Sequence, residues 1–221
     1  MNLRFWQPRH VTLVIDDGPT AMTPRLLTEL EASGHRAVLF ILGWNAVTRM
    51  DTLIDAVRRG FALGNHSYRH ARFSELGIVE AREEIVRTEE ILNTIYREAG
   101  AARPGKWFRF PYEDAGSGPH FTQLQELLSE LEFRRPASLR RRLPKPDRDR
   151  LDWQATLHTA DWKLPEEPDF RAVMRRAAPG DVIELHDKLD TVERYTAPAV
   201  EELARRSLLA TVPQAGGGRD V

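Results

Sequence analysis

Short apolar runs alternate with longer stretches of helical periodicity along most of this chain, and this alternation limits the possible folds most. Residues 37–42 form a continuous apolar run that Gly43 ends, which is too short for a helix and suits a buried strand. The stretch before it, 23–32, has Pro24 in its first turn, apolar residues three and four apart, and Gly34 after its end. Strands and helices that alternate in this way predict a parallel sheet covered by helices.

The same periodicities predict seven or eight strands with helices between them. A barrel closes such a sheet economically, whereas an open doubly wound sheet usually carries a glycine-rich phosphate loop after its first strand. This chain has Asp16-Asp17-Gly18-Pro19 there. We therefore predict an α/β fold, a distorted (β/α)7-8 barrel in a single domain. We expect strands at 11–15, 37–42, 61–64, 107–112, 133–139, 153–157, 181–185 and 208–212, and helices at 23–32, 45–59, 80–99, 121–131, 169–178 and 198–206.

Length and composition favour one domain over residues 1–212, followed by a flexible tail at 213–221. The formal net charge is -1, from 32 Lys plus Arg against 33 Asp plus Glu, so no global charge attracts nucleic acid or an anionic membrane. No window approaches the roughly 18 apolar residues of a membrane span. Residues 1–10 lack the apolar core of a signal peptide, which favours the cytoplasm as written, although a trimmed leader would leave the same sequence. We expect a monomer.

An arginine- and proline-rich stretch at 134–150 is the strongest local charge asymmetry in the chain. It lacks the interleaved aromatic side chains that are typical of a nucleic-acid groove. We interpret this stretch as a solvated loop and expect no nucleic-acid partner.

Side chains with catalytic potential follow the ends of several predicted strands. The carboxyl ends of barrel strands converge on one face, where barrel enzymes keep their active sites, so these side chains can meet. They are Asp16 and Asp17 after the first strand, His66 and His70 after the third, Arg109 and Tyr112 at the fourth, Asp161 and Trp162 after the sixth, and His186 after the seventh.

Asp17, His66 and His70 have the composition of a catalytic metal site. The two histidines are four residues apart, which lets both imidazoles reach one cation, although a chain with seven histidines contains such pairs by chance. With no cysteine in the chain, His, Asp and Glu are the strong metal ligands available. A carboxylate from Asp17 completes a set that leaves coordination positions open. Asp16 would then take the proton of the attacking water; the alternative for both acids is a solvated surface turn.

Arg109 and His186 each have a functional and a structural interpretation. Arg109 either orients Asp16 or forms an interior ion pair for stability. His186 either fills the core or, with its pKa raised by Asp161, serves as a general acid opposite Asp16. The remaining histidines have no comparable neighbours, and we interpret them as structural: His10, His35, His120 and His158.

Five short segments, taken together, resemble the motifs of polysaccharide deacetylases with the NodB homology domain, carbohydrate esterase family 4. They occur in the family's order and cover residues from about 11 to 187. The segments are 14–19, 66–70, 109–112, 161–162 and 183–186.

The resemblance implies metal-dependent removal of acetyl groups from an N-acetylated amino-sugar glycan, namely a chitooligosaccharide, peptidoglycan or an exopolysaccharide. It implies a divalent metal, with zinc expected and cobalt, nickel or manganese as alternatives. The implied roles are metal ligands at Asp17, His66 and His70, the base at Asp16 oriented by Arg109, the acid at His186 tuned by Asp161, an oxyanion contact from the Tyr112 N–H, an acetyl pocket between Trp162 and Leu185, and a loop brace at Ser67.

Two departures from the family pattern stand out. Val14 and Ile15 replace the Ser or Thr and the Phe that usually precede the paired acids, and His158 replaces an acid three residues before Asp161. Two alternatives also stay open: a catalytically silent relative that binds glycans, and an amidase of the same superfamily that acts on a small non-sugar amide.

Overall fold

The computed structural model describes residues 9–136 and 149–213. Within these residues all strand pairs are parallel, in the order β3-β2-β1-β5-β4, with β6 beside the start of β1. The strands are β1 (Arg9–Gly18), β2 (Ala37–Ile41), β3 (Ala62–Asn65), β4 (Leu157–His158), β5 (Val182–His186) and β6 (Leu208–Ala210). The α-helices are α1 (Thr23–Ala32), α2 (Gly43–Val47), α3 (Met50–Arg58), α4 (Ile78–Ala99), α5 (Gly118–Glu130), α6 (Glu167–Met174) and α7 (Leu189–Arg205).

Two irregular segments close the sheet into a distorted barrel. Segment 107–109 lies beside β3, where Asn65 N–H donates to Trp107 O at 2.8 Å. Segment 153–158 lies beside segment 107–109, since Trp153 N–H donates to Phe108 O at 2.8 Å. Thr156 N–H then donates to Val182 O of β5 at 2.8 Å. The ring runs through β1, β2, β3, 107–109, 153–158 and β5, which confirms the predicted α/β barrel.

The central strand β1 explains why these strands are continuous apolar runs. Alternate side chains point to opposite faces of a strand. Leu13 and Ile15 pack in the outer layer with side chains from the helices, whereas Val14 faces the barrel interior with Phe40 and Trp153. Both faces of β1 are therefore buried, as expected for a parallel sheet with helices outside it.

Several predicted element boundaries are wrong. The expected helix at 45–59 is two helices, because Arg49 has φ -139° and interrupts the helical backbone between α2 and α3. The expected helix at 198–206 begins at Leu189, with Pro198 inside α7 instead of at its start. The apolar face of α7, which includes Val192, Tyr195, Ala199 and Leu203, is long enough to hold the helix together across the proline.

Six strands are described where seven or eight were expected. The predicted strand at 107–112 is reduced to one bridge, between Asn65 and Phe108, before a 3-10 turn at Pro111–Glu113. The predicted strand at 153–157 becomes β4, and residues 133–136 form no strand. The remainder of 133–139, residues 137–148 of the arginine-rich stretch, and the tail from 214 lie outside the described residues. In the described part of the chain, no helix is long and apolar enough to span a membrane.

Candidate active site

A pocket of about 380 Å³ opens at the carboxyl ends of the barrel strands. Most of the predicted site residues line it, which agrees with the expectation that strand ends converge on one face. The predicted residues in its wall are Asp16, Asp17, His66, His70, Arg109, Tyr112, Trp162 and His186.

Asp17, His66 and His70 bring one oxygen and two nitrogens together in this pocket. Asp17 Oδ1 lies 3.6 Å from His66 Nε2 and 3.1 Å from His70 Nε2. His66 Nδ1 lies 2.8 Å from the carbonyl oxygen of Arg109, so Nδ1 carries the proton and donates it. Nε2 of His66 is thereby directed at Asp17, in the way that a second hydrogen bond orients a metal-binding histidine.

The donor set fits a divalent cation. Asp17 Oδ1 is buried and accepts no hydrogen bond of suitable geometry from any described residue. Burial raises the pKa of Asp17, but the contacts with His66 and His70 outweigh it and leave that pKa well below its usual range. An ionised, buried oxygen beside two imidazole nitrogens matches the ligands that Zn²⁺ and related ions bind.

Left-handed backbone conformations shape the loops that carry these three residues. Asp17 has φ 71°, Ser67 φ 71° and His70 φ 63°. A side chain in this region costs on the order of 1–3 kcal/mol, so surrounding contacts must hold it there. Asn65 Oδ1 accepts from Ser67 N–H at 2.9 Å, and Ser67 Oγ accepts from His70 N–H at 3.1 Å. The Ser67 hydroxyl thus bridges the loop between the two histidines.

Two buried carboxylates hold these loops from behind. Glu84 on α4 accepts from the backbone N–H groups of Tyr68 at 3.0 Å and Arg69 at 2.7 Å. Asp187 accepts from the hydroxyls of Thr20 at 2.7 Å and Thr23 at 2.5 Å, which fixes the turn after Asp17. Neither acid is among the residues that the sequence analysis predicted for the site. Each contacts a loop that is distant from it in sequence, and no local sequence pattern indicates such a contact.

Asp16 and Arg109 form a buried ion pair beside the three-residue cluster. Arg109 Nε–H donates to Asp16 Oδ2 at 2.7 Å. The Arg109 side chain is 1% exposed and the Asp16 side chain 3% exposed. Burial lowers the pKa of Arg109, but the carboxylates of Asp16, Glu184 and Glu113 raise it by more than burial lowers it. The guanidinium therefore stays charged. The second oxygen, Asp16 Oδ1, is buried and has no hydrogen-bond partner among the described residues.

His186 faces Asp16 from the neighbouring strand. β1 and β5 place Asp16 and His186 directly opposite each other. His186 Nδ1 lies 2.7 Å from Asp161 Oδ1, and its backbone N–H donates to Asp161 Oδ2 at 2.8 Å. Burial lowers the pKa of His186, but the Asp161 hydrogen bond and nearby carboxylates dominate and raise it to about 9. The imidazole is therefore protonated at neutral pH.

Two exposed aromatic side chains border the pocket. Tyr112, at φ 58°, has its ring centroid 4.4 Å from that of His70, with the two rings tilted by 54°. The Arg72 guanidinium lies over the Tyr112 ring, 4.2 Å from its centroid. Trp162 sits on the 3-10 turn Asp161–Lys163 and is 53% exposed. Both offer flat apolar surface at the mouth of a charged cavity.

Residues 6–131 of this chain match the family model described as polysaccharide deacetylase, which is more than half of its 221 residues. The chain belongs to the polysaccharide deacetylase family. The fold agrees with this assignment, since a family 4 carbohydrate esterase from Streptomyces lividans, solved in complex with acetate, superposes with a TM-score of 0.73. That similarity covers 96% of each chain at 23% identity.

Curated members of the polysaccharide deacetylase family share shorter segments with the chain. A peptidoglycan-N-acetylglucosamine deacetylase from Bacillus cereus is 38% identical over 103 residues, which are 46% of this chain and 36% of the relative. A chitin deacetylase from Colletotrichum lindemuthianum is 31% identical over 121 residues, 52% of this chain and 47% of the relative. The matches therefore span less than half of the length of either relative.

Two predicted site residues of this family member do not line the pocket. Asp161 lies behind His186 and is buried. Leu185 points to the outer layer, where it packs with Ile15 and other core residues, because it alternates with Glu184 and His186 along β5. The structure therefore does not bring Leu185 to the acetyl pocket that the resemblance implied.

Six residues without a predicted catalytic or binding role also line the pocket: Arg72, Phe110, Glu113, His158, Glu184 and Lys188. Lys188 Nζ lies 2.8 Å from Asp17 Oδ2. His158, expected to be structural, has its Nδ1 2.9 Å from Glu184 Oε2. Strand alternation could have placed Glu184 on the face of His186, but the pairing of His158 with it depends on the register of β4 against β5.

Proposed function

We propose that this chain hydrolyses the N-acetyl amide of an amino-sugar glycan and releases acetate. The observation that carries the proposal is the convergence, in one pocket, of three elements: the Asp17–His66–His70 donor set, Asp16 held by Arg109, and His186 held by Asp161. Membership of the polysaccharide deacetylase family supports the same reaction class.

The donor set of Asp17, His66 and His70 would hold a divalent metal, for which zinc is the first choice and cobalt, nickel or manganese are alternatives. Such a metal, when bound, polarises the amide carbonyl and makes water a stronger nucleophile near neutral pH. The three side chains position it, with His66 oriented by the Arg109 carbonyl.

Asp16 would act as the general base. Its Oδ2 is occupied by Arg109, which leaves Oδ1 free to accept the proton of the attacking water. Arg109 cannot take that proton itself, because a guanidinium stays charged. Its task is to fix the direction in which Asp16 presents its free oxygen.

His186 would act as the general acid. It is protonated below a pKa of about 9, and its Nδ1 is held by Asp161, so Nε2–H is the proton available to the substrate. As the carbon–nitrogen bond breaks, this proton goes to the departing amine, and acetate and a free amino sugar result. In each turnover Asp16 gains one proton and His186 loses one, so the two residues together carry the same number of protons before and after the reaction.

Tyr112 and Trp162 would contribute substrate contacts. The backbone N–H of Tyr112 is the expected donor to the developing oxyanion, and its left-handed backbone sets the direction of that group. Trp162 would cover the acetyl methyl with its exposed ring. Both side chains are placed at the rim by short 3-10 turns.

The names of the relatives support the proposed substrate class. The Bacillus cereus relative is named for peptidoglycan N-acetylglucosamine and the Colletotrichum lindemuthianum relative for chitin, so both names concern N-acetylated glycans. We therefore propose chitooligosaccharide, peptidoglycan or an exopolysaccharide as substrate, with a single domain over residues 1–212.

The test is an acetate-release screen over N-acetylated chitooligosaccharides and peptidoglycan, with and without a chelator. Chelator-sensitive release from at least one glycan is the expected result. A protein that binds metal and glycan but releases no acetate would instead be a silent glycan-binding relative. Release from small non-sugar amides alone would identify an amidase.

A further inference from the structure

We infer that Glu184 is a positioning residue that fixes Arg109, and through it the base Asp16. The inference rests on the proposed function for its catalytic consequence. Its structural content is a buried charge network that joins β1, segment 107–109, β4 and β5, and it can be tested without turnover.

The guanidinium of Arg109 is bound on every side. Nε–H donates to Asp16 Oδ2 at 2.7 Å, and an Nη1–H donates to the carbonyl oxygen of Trp153 at 3.3 Å. Nη2 donates to Glu184 Oε1 through a short hydrogen bond and lies 3.0 Å from Glu113 Oε1. Because the donors of a guanidinium are held in one rigid plane, fixing Nη2 fixes the direction of Nε.

Glu184 is better suited to fix Arg109 than Glu113 is. The Glu184 side chain is 11% exposed and stands in the middle of β5, where its backbone is opposite Val14. The Glu113 side chain is 33% exposed and belongs to the last residue of the 3-10 turn Pro111–Glu113, which has a backbone φ of 54°. A carboxylate on a buried strand holds a partner more rigidly than one on an exposed turn.

His158 closes the network from the rim of the pocket. Its Nδ1 lies 2.9 Å from Glu184 Oε2, directly across the β4–β5 pair. The hydrogen bond to Glu184 raises the pKa of His158 against the lowering effect of burial. Glu184 thus has a partner for each oxygen: Arg109 at Oε1 and His158 Nδ1 at Oε2.

His158 and Glu184 occupy facing positions on neighbouring strands. They are register partners in the β4–β5 pair, with the imidazole on β4 and the carboxylate on β5. Position 158 is therefore the place in the sheet from which a carboxylate could replace the one at position 184.

The first test compares Glu184→Gln with Glu202→Gln. Glu202 is a matched control, since it is a buried glutamate that binds Arg171 at 3.4 Å but lies on α7. We expect Glu184→Gln to lower kcat about 30- to 100-fold, because a displacement of the base by about 1 Å lowers the rate by that order. KM and the amount of bound metal should stay within twofold of the wild type. Glu202→Gln should lower Tm but keep kcat within twofold. A normal kcat in Glu184→Gln would overturn the inference.

A rescue experiment separates positioning from simple stability. The double variant Glu184→Gln/His158→Asp moves the carboxylate to the facing position on β4, and we expect it to recover at least tenfold in kcat over Glu184→Gln. Failure to recover, in a variant that binds metal normally and melts like Glu184→Gln, would contradict the inference. If Glu184→Gln does not fold, Glu184→Asp keeps the charge and should show a smaller kcat loss at unchanged KM.

A readout without turnover distinguishes this inference from the proposed function. The Nε–H of Arg109, assigned through Arg109→Lys, should exchange slowly with solvent in the wild type and in Glu202→Gln, and at least tenfold faster in Glu184→Gln. Unchanged exchange would overturn the positioning role. Absence of acetate release by the wild type from every glycan would refute the proposed function while this exchange measurement still decides the role of Glu184.

Discussion

The two halves of the pocket are built in different ways. The metal side, meaning Asp17, His66 and His70, sits on loops with left-handed backbone conformations that other side chains hold in place. The acid side means His186 and Asp161. His186 is the last residue of the regular strand β5, and its imidazole pairs with the carboxylate of Asp161. On the metal side, Asp17 Oδ2 pairs with Lys188 while Oδ1 has no hydrogen-bond partner among the described residues, whereas the carboxylate and imidazole of the acid side satisfy each other.

The two halves should therefore contribute differently to the free energy of unfolding. Asp17 Oδ1 and Asp16 Oδ1 are buried without hydrogen-bond partners in the described residues, and such groups destabilise a fold until a ligand or water reaches them. The His186–Asp161 pair stabilises the fold through its own hydrogen bonds. Substitutions on the two sides should consequently change different measurements.

The largest effect is expected on the metal side, from Asp17→Ala or His66→Ala. Removing one of three ligands should abolish tight metal binding and lower acetate release by about 10³-fold or more, because the Lewis acid is lost. Metal content by mass spectrometry and acetate release by enzymatic assay check both. His120→Ala is the control, since His120 contacts the carbonyl oxygen of Phe73 and should keep full metal content. Normal metal binding by Asp17→Ala would remove it from the ligand set.

The next effect comes from the base between the two halves. Asp16→Asn should keep one metal per chain and lower kcat about 10²- to 10⁴-fold, the usual range for a general base. The same two assays separate this variant from Asp17→Ala. Near-normal turnover with metal bound would show that another group takes the proton.

On the acid side, His186→Gln should lower kcat about 10²-fold and remove the alkaline limb of the pH–rate profile. The wild-type rate should fall as pH rises through about 9, where His186 loses its proton. The pH dependence of kcat at saturating glycan measures this limb. An unchanged alkaline limb in His186→Gln would assign it to a different group.

The smallest effect is on stability. The pKa of His186 is raised to about 9 from 6.5, so its stabilisation is fully present below pH 6.5 and disappears as pH rises to about 9. The shift corresponds to about 3 kcal/mol at most. Urea unfolding of chelator-treated wild type and His186→Gln at pH 6 and pH 9.5 checks this: the difference between them should shrink at the higher pH. A difference that grows would reverse the sign of the linkage.

The barrel fold, the meeting of Asp17, His66 and His70 in one pocket, and the Arg109–Asp16 pair could be predicted from the sequence, whereas the pairing of His158 with Glu184 could not. Local periodicity locates β2 and α1, and the spacing of His66 and His70 with Asp17 indicates a metal set. Closure of the barrel through Phe108 and Trp153 depends on a few backbone hydrogen bonds between irregular segments, which leave no periodic pattern.

Contacts between strands account for the remaining differences. The pairing of His158 with Glu184 requires the register of β4 against β5, which no local pattern encodes. The outward direction of Leu185 follows from alternation, but the family motif suggested a pocket wall. The same alternation, applied to β5 as a whole, would have identified Glu184 as a neighbour of His186.

The most direct measurement is a titration of chelator-treated protein with Zn²⁺, in which bound metal and acetate release from a responsive glycan are followed together. We predict that acetate release rises in proportion to bound metal and stops rising at one metal per chain, and that Asp16→Asn binds the same amount of metal without this rise. Acetate release that is independent of bound metal would contradict a catalytic metal site at Asp17, His66 and His70.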